Sequence, residues 1–192
     1  MRKITLLVVV LVASFANAQV NYPESSAEVF SKKHELRVGT IRLLTGNSLD
    51  VGYEYILDTN QGFGANLLLG FGNDDFSFNQ QFSFSPYYRF YFNKSEEYGA
   101  RGMFVEGFMD FYSGENDYYG DYYYEPSTGY GYYYDTRREF FEVAAGFALG
   151  WKWVNRMGFV LDIKAGYGRN LLNEDSAPEG LFRGDVSVGY RF

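Results

Sequence analysis

Strict two-residue alternation is the feature of this chain that most constrains its fold. Along residues 182–192, Phe182, Gly184, Val186, Val188, Tyr190 and Phe192 fall on one face, and Arg183, Asp185, Ser187, Gly189 and Arg191 on the other. That is the period of a strand with two unlike faces. Residues 159–167 set Phe159, Leu161, Ile163, Ala165 and Tyr167 against Val160, Asp162, Lys164 and Gly166. Residues 141–151 set Phe141, Val143, Ala145, Phe147, Leu149 and Trp151 against Glu142, Ala144, Gly146, Ala148 and Gly150. The same reading gives strands at 49–58, 62–72, 81–92 and 101–112, and a less regular first strand near 35–44, where Leu36 and Val38 share a face with Arg42. The count is eight strands.

Eight such strands suit either a soluble ligand-binding barrel, apolar inside, or a membrane barrel, apolar outside. The two faces discriminate. The apolar faces carry almost no charge and end in aromatics such as Trp151 and Trp153, Phe90 and Phe92, or Tyr190 and Phe192. The opposite faces carry single charges among Gly, Ala and Ser, which fits a narrow polar lumen. The expected fold is therefore an all-β, eight-stranded antiparallel up-and-down transmembrane barrel. Its outer loops are placed at 45–48, 73–80, 113–138 and 170–180, and its short periplasmic turns at 59–61, 93–100 and 152–156.

The first eighteen residues agree with export. Arg2 and Lys3 precede an apolar run from Ile4 to Phe15, and Ala16-Asn17-Ala18 forms a small-residue cleavage site, the pattern of a secretory signal peptide. Cleavage after Ala18 removes two of 17 cations, leaving 15 against 24 acids, near -9. So acidic a chain is a poor partner for nucleic acid. The chain holds no cysteine, which excludes disulfides, thiol catalysis, cysteine-ligated metals and a lipid-anchored cysteine. Residues 19–33 read as a periplasmic N-terminal extension, and residues 34–192 as the barrel.

The ending "VSVGYRF", with Tyr190 third from the end and Phe192 last, resembles the terminal strand signal of bacterial outer-membrane barrels. The runs "FSFSPYYRFYF" (82–92), "FVEGFMDFYSG" (104–114) and "GWKWVNRMGFVLDIKAGYGRNL" (150–171) resemble a domain-of-unknown-function family of small outer-membrane β-barrels. The resemblance covers most of the chain from His34 onward, and the architecture is similar to OmpA/OmpX-type barrels. It implies an outer-membrane location, contact with outer-membrane lipid and delivery by the barrel-assembly machinery. It implies no activity, and it lapses in the tyrosine-rich insert.

Chemistry by catalysis finds little support. His34 is the one imidazole, placed at the periplasmic rim, so a lipid-modifying barrel enzyme is the weaker alternative. "GFGANLLLGFG" (62–72) has dinucleotide-loop glycines but no following helix, and reads as packing or twist. The acids Glu115, Asp117, Asp121, Glu125 and Asp135 lack the order of a calcium loop. No metal and no cofactor is expected.

Two sets of residues remain. Parity sends Arg37, Glu54, Arg89, Glu106, Asp110, Glu142, Asp162, Lys164, Arg183, Asp185 and Arg191 into the lumen, with Asp50 beside them. Buried charges persist when paired, so a closed salt-bridge network is expected, with a narrow ion or solute channel as its rival. The second set is the insert, where Tyr118, Tyr119, Tyr122, Tyr123, Tyr124, Tyr130, Tyr132, Tyr133 and Tyr134 supply nine tyrosines in seventeen positions. Tyrosine gives amphipathic contact area at low entropic cost, so the insert is the expected partner surface, for an extracellular protein or a glycan, on a monomeric barrel. Its near-symmetry about Pro126 predicts a hairpin that continues strands 5 and 6, with Arg101 opposite Trp151 and residues 118–124 paired with 130–136.

Overall fold

A computed structural model of the chain describes residues 31–45, 48–71, 80–93, 99–126, 129–172 and 177–192. The expected signal peptide and most of the 19–33 extension lie outside the described residues. Eight strands run in chain order: β1 (His34–Gly39), β2 (Ser48–Asp58), β3 (Gln61–Gly70), β4 (Gln80–Tyr91), β5 (Gly102–Glu125), β6 (Tyr130–Val154), β7 (Phe159–Asn170) and β8 (Gly180–Arg191). Each pairs antiparallel with its neighbours, and β1 pairs with β8, closing the barrel. Closure gives every wall strand a partner on both sides. The seam is short, running from Glu35↔Arg191 to Gly39↔Ser187.

The alternation in the sequence becomes an inside and an outside. Arg37, Glu54, Arg89, Glu106, Asp162 and Arg191 are all at most 3% exposed, while Leu36, Phe63, Tyr88, Phe147, Leu149 and Phe182 point away from the lumen and are exposed. Apolar material also fills the interior in two places. Near the end that carries His34 and Phe192, which is called the terminal end, Ile56, Tyr91, Ala100 and Phe104 form one cluster. Toward the other end, Tyr87, Phe108, Tyr112, Phe140, Ala144, Ala148 and Leu181 form another. Rings this large fit because their neighbours are glycines. A Cβ on Gly150 would lie 2.4 Å from the Phe104 ring, and one on Gly62 would lie 2.6 Å from the Glu54 carboxylate. Gly62 and Gly64 thus leave the room into which Glu54 and Tyr87 reach, as the packing reading expected.

Three boundaries differ from expectation. Strand 1 stops at Gly39, and Thr40–Thr45 forms a short helix, α1. The break comes where the ladder with β8 ends, at Gly39↔Ser187. Thr40 Oγ1 ties the helix to the Val186 carbonyl of β8. The connection expected at 45–48 accordingly begins at residue 40. The turn expected at 152–156 instead occupies 155–158, because Lys152 and Val154 stay in β6 opposite Asp162 and Val160.

Gly99 and Ala100, just before β5, tuck beneath the barrel. Ala100, fully buried, donates its N–H to the Thr59 carbonyl at 2.6 Å. Arg191 donates to the carbonyls of Gly99 and Ala100 at 3.3 and 3.2 Å. The chain thus closes the terminal end of the lumen with its own backbone.

Candidate functional site: the lumen network and the projecting hairpin

Every strand except β3 contributes a charged side chain to the lumen network, which is layered from the terminal end upward. At the bottom, Glu35 accepts from Arg191 Nε at 2.7 Å and from Lys152 Nζ at 2.9 Å. Lys152 also donates to Glu54 Oε1 at 2.8 Å, and the Tyr91 hydroxyl donates to the same oxygen. In the middle layer, Arg89 is the hub. Its Nη1 lies 3.0 Å from Glu54 Oε2 and 2.5 Å from Asp162 Oδ2, and its Nε lies 2.6 Å from Glu106 Oε2. Arg37 braces the same two acids, 3.0 Å from Glu54 and 2.6 Å from Asp162. Above them Glu106 turns its other oxygen toward Lys164 at 3.3 Å and Arg183 at 3.5 Å.

Aromatic faces complete the coordination of the cations. The Arg89 guanidinium sits 4.1 Å from the centre of the Phe104 ring and 4.8 Å from that of Tyr87. Arg183 lies 4.8 Å over Phe108. Weakly hydrated guanidinium groups suit such sandwiches. These contacts tie side chains of seven strands together across the lumen. Each cation named faces at least one carboxylate within 3.5 Å, and the four carboxylates are shared among six cations.

Not every expected residue joins this core. Asp110 is buried and accepts from Ser83 Oγ at 2.5 Å. Glu142 accepts the backbone N–H groups of Val143 and Leu172 at 2.9 and 2.7 Å. Asp185 is buried opposite Lys164 on the neighbouring strand. Asp50 is only half-buried and accepts from Asn66 Nδ2 at 3.0 Å. These four form a polar upper storey. Two members of the core were not anticipated. Glu35 shares the parity of Arg37, and Lys152 opposes Trp151 and Trp153, so strict alternation carried to the strand ends identifies both.

Rim residues occupy the terminal end. His34 Nδ1 lies 2.7 Å from the Tyr53 hydroxyl, and its ring stacks on Phe192 with centroids 5.8 Å apart. Tyr190 packs edge-on against Phe159 at 5.6 Å. Tyr190 and Phe192 both face outward and are exposed. Among the described residues no group of three or more His, Asp or Glu is arranged to hold a metal ion.

The second candidate region is the upper part of β5 and β6. β4 pairs with β5 up to Gln80↔Gly114, and β7 pairs with β6 up to Ala144↔Asn170. Above those points the two arms pair with each other and, among the described residues, with no third strand. Tyr118↔Thr136, Tyr119↔Asp135, Tyr122↔Tyr133, Tyr123↔Tyr132 and Tyr124↔Gly131 place all nine tyrosines on one two-stranded ribbon. From Glu115 to Glu125 the arm extends about 33 Å at ~3.3 Å per residue. Residues 118–124 pair within 130–136, as expected, but in detail the register differs. Met103, not Arg101, faces Trp151, and a bulge falls between Tyr119 and Tyr122. The turn sets this offset. Gly129 N–H bonds to the Glu125 carbonyl at 3.0 Å, and Gly129 has φ +72. Pro126 therefore enters the turn at its start rather than marking its centre. At the tip Tyr124 and Tyr130 are 55% and 76% exposed.

Fold and lumen together define a closed eight-stranded barrel with a filled, charge-paired interior and one overlong hairpin. No family model matches this chain, and no curated protein matches it. The architecture is the part of the resemblance to small outer-membrane barrels that the structure carries.

Proposed function

We propose that this chain is a bacterial outer-membrane barrel whose task is recognition at the cell surface, through the tyrosine-rich β5–β6 hairpin. The membrane setting is supported by inverted polarity. Water would have to wet a continuous apolar exterior that includes Phe147 and Phe182, 73% and 55% exposed, while charges fill the interior. Soluble monomers rarely present apolar patches beyond a few hundred Å², and a lipid band removes the conflict. Export by the expected signal peptide, and delivery by the assembly machinery reading Tyr190 and Phe192, belong to the same proposal.

The observation that carries the recognition role is the ribbon itself. β5 and β6 run 24 and 25 residues, where roughly 9–11 suffice to cross a bilayer. Strand pairing that far past the barrel sets the tyrosines along a two-stranded ladder, and its backbone edges suit strand addition by a protein partner. In this orientation both termini are periplasmic and the hairpin is external.

The test uses intact cells producing the full chain. Protease added outside should clip the hairpin within 118–134 and leave the barrel in the outer-membrane fraction. Adhesion of those cells to arrayed extracellular proteins and glycans should fall when the hairpin is replaced by a short turn. Undiminished adhesion refutes the recognition role, and recovery of the chain outside the outer-membrane fraction refutes the location. The lumen network argues against a porin-like channel, so stable open currents in planar bilayers are not expected.

A further inference from the structure

The outward wall between β4 and β7 is not uniformly covered. Cross-strand register aligns Tyr88, Gly107, Phe147 and Tyr167 in one row, and Met109, Ala145 and Arg169 in the next. Small residues therefore alternate with large ones on this face. The rings also lean apart. Phe147 lies over Gly107 of β5, its ring 3.6 Å from where a Cβ would stand, while Tyr167 leans the other way, over Gly180 of β8. A groove of about 640 Å³ opens between them, floored by Gly107, Ala145 and the backbone at Gly146.

Arg169 lies at one end of this groove. It is outward-facing and exposed, one residue from the end of β7, and makes no ion pair among the described residues. Its cross-strand neighbours are Ala145 and Gly180, neither of which carries charge. An apolar slot ending in a guanidinium at the rim of a strand has the chemistry of a lipid site: a chain lies in the slot and an anionic headgroup meets the fork-shaped cation.

We propose that this groove holds one acyl chain of a phosphate-bearing lipid from the hairpin-side leaflet, with the phosphate on Arg169. The site rests on the membrane reading above. Slot volume lies within the range of ordinary ligand pockets, and charge complementarity selects among lipids with identical tails.

The experiment uses the full-length folded protein in detergent, with dioleoylphosphatidic acid and dioleoylglycerol as probes of equal chain length, followed by native mass spectrometry. One phosphatidic acid should be retained about tenfold more tightly than dioleoylglycerol, as hydrogen bonds to a charged group provide. Arg169→Gln should abolish that preference, and Ala145→Phe, which fills the groove from its exposed side, should reduce retention of both lipids. Millimolar inorganic phosphate should not displace the bound lipid. Equal retention of the two lipids, an unchanged preference in Arg169→Gln, or displacement by phosphate alone would overturn the site. A second arm separates this failure from failure of the membrane reading. Trp151 and Trp153, the only two tryptophans, face outward on β6, so brominated lipid should quench them in wild type and Arg169→Gln alike. Quenching without headgroup preference overturns the lipid site alone; no quenching overturns both readings.

Discussion

The lower and upper halves of β5 and β6 are the same two strands in two different physical situations. Below Gly114 each residue has a lumen side and an outer side. Glu106 points in to Arg89, and Met103 and Phe147 point out. The walls on either side, β4 and β7, supply further ladders. Above Gly114 the arms have only each other. One half is held by closure, packing and buried ion pairs, the other by cross-strand pairs worth a few tenths of a kcal/mol to ~1 kcal/mol each. Stability should therefore concentrate in the barrel and exposure to partners in the ribbon.

The sharpest way to break the comparison is at the hub. Arg89→Leu removes the cation shared by Glu54, Glu106 and Asp162 and leaves three fully buried carboxylates with fewer partners. Removing one member of a buried ion pair costs about 3–5 kcal/mol. Urea unfolding of the refolded barrel, followed by tryptophan fluorescence, should show a loss of that size. A loss under about 1 kcal/mol would mean that the lumen is wet enough to screen these charges.

A steric test in the same half should cost less. In Gly150→Ala the new methyl would stand 2.4 Å from the Phe104 ring and 2.5 Å from the Ile163 carbonyl oxygen. The ring can swing but the backbone oxygen cannot, so overpacking of roughly 1–3 kcal/mol is expected in the same unfolding assay. Unchanged stability would show that the wall gives way locally.

What was legible beforehand follows the same division. Parity sorted Arg37, Glu54, Arg89, Glu106 and Asp162 to one side because the two-residue period is local and survives any register. Which of them meet was not legible. Arg37 and Asp162 lie 125 positions apart in the chain, and their contact depends on barrel stagger, which no single strand encodes. Glu35 and Lys152 were missed for a different reason. Both sit at strand ends, where boundary judgement overrode the alternation. Residues 40–45, Thr-Ile-Arg-Leu-Leu-Thr, fit a strand or a helical turn by pattern alone, and only the short β1–β8 seam decides. In the hairpin, symmetry around Pro126 located the ribbon but misplaced its register, since the turn is set by Gly129 and not by the centre of the tyrosine repeat.

Gly129→Ala tests whether the ribbon is an independent unit. A Cβ there meets nothing within 4 Å, so the whole cost is φ +72, about 1 kcal/mol for a residue with a side chain. The cost should appear locally. Amide exchange in Tyr124, Tyr130 and Gly131 should accelerate about fivefold, while the barrel's unfolding midpoint stays in place. Equal acceleration in barrel amides would show that ribbon and barrel unfold together.

The smallest expected effect on the barrel comes from the largest excision. Deleting residues 116–138 and joining Glu115 to Glu139 through Asn-Gly removes the ribbon above a pair already in register. Asn-Gly favours the tight turn that two antiparallel strands need. The lost pairs touch neither the lumen hub nor the β4 and β7 ladders, and the roughly 2 kcal/mol of closure entropy that the shorter connection saves is offset by the ribbon's own cross-strand pairs, which leave with it. The barrel's unfolding free energy should therefore move by less than about 0.5 kcal/mol, as sites without shared partners add independently. Surface adhesion should nevertheless fall to background. That pairing of results separates a recognition element from a structural one. If the excised barrel unfolds far more easily, the ribbon belongs to the fold's own stability, and the upper halves of β5 and β6 are not free to serve a partner.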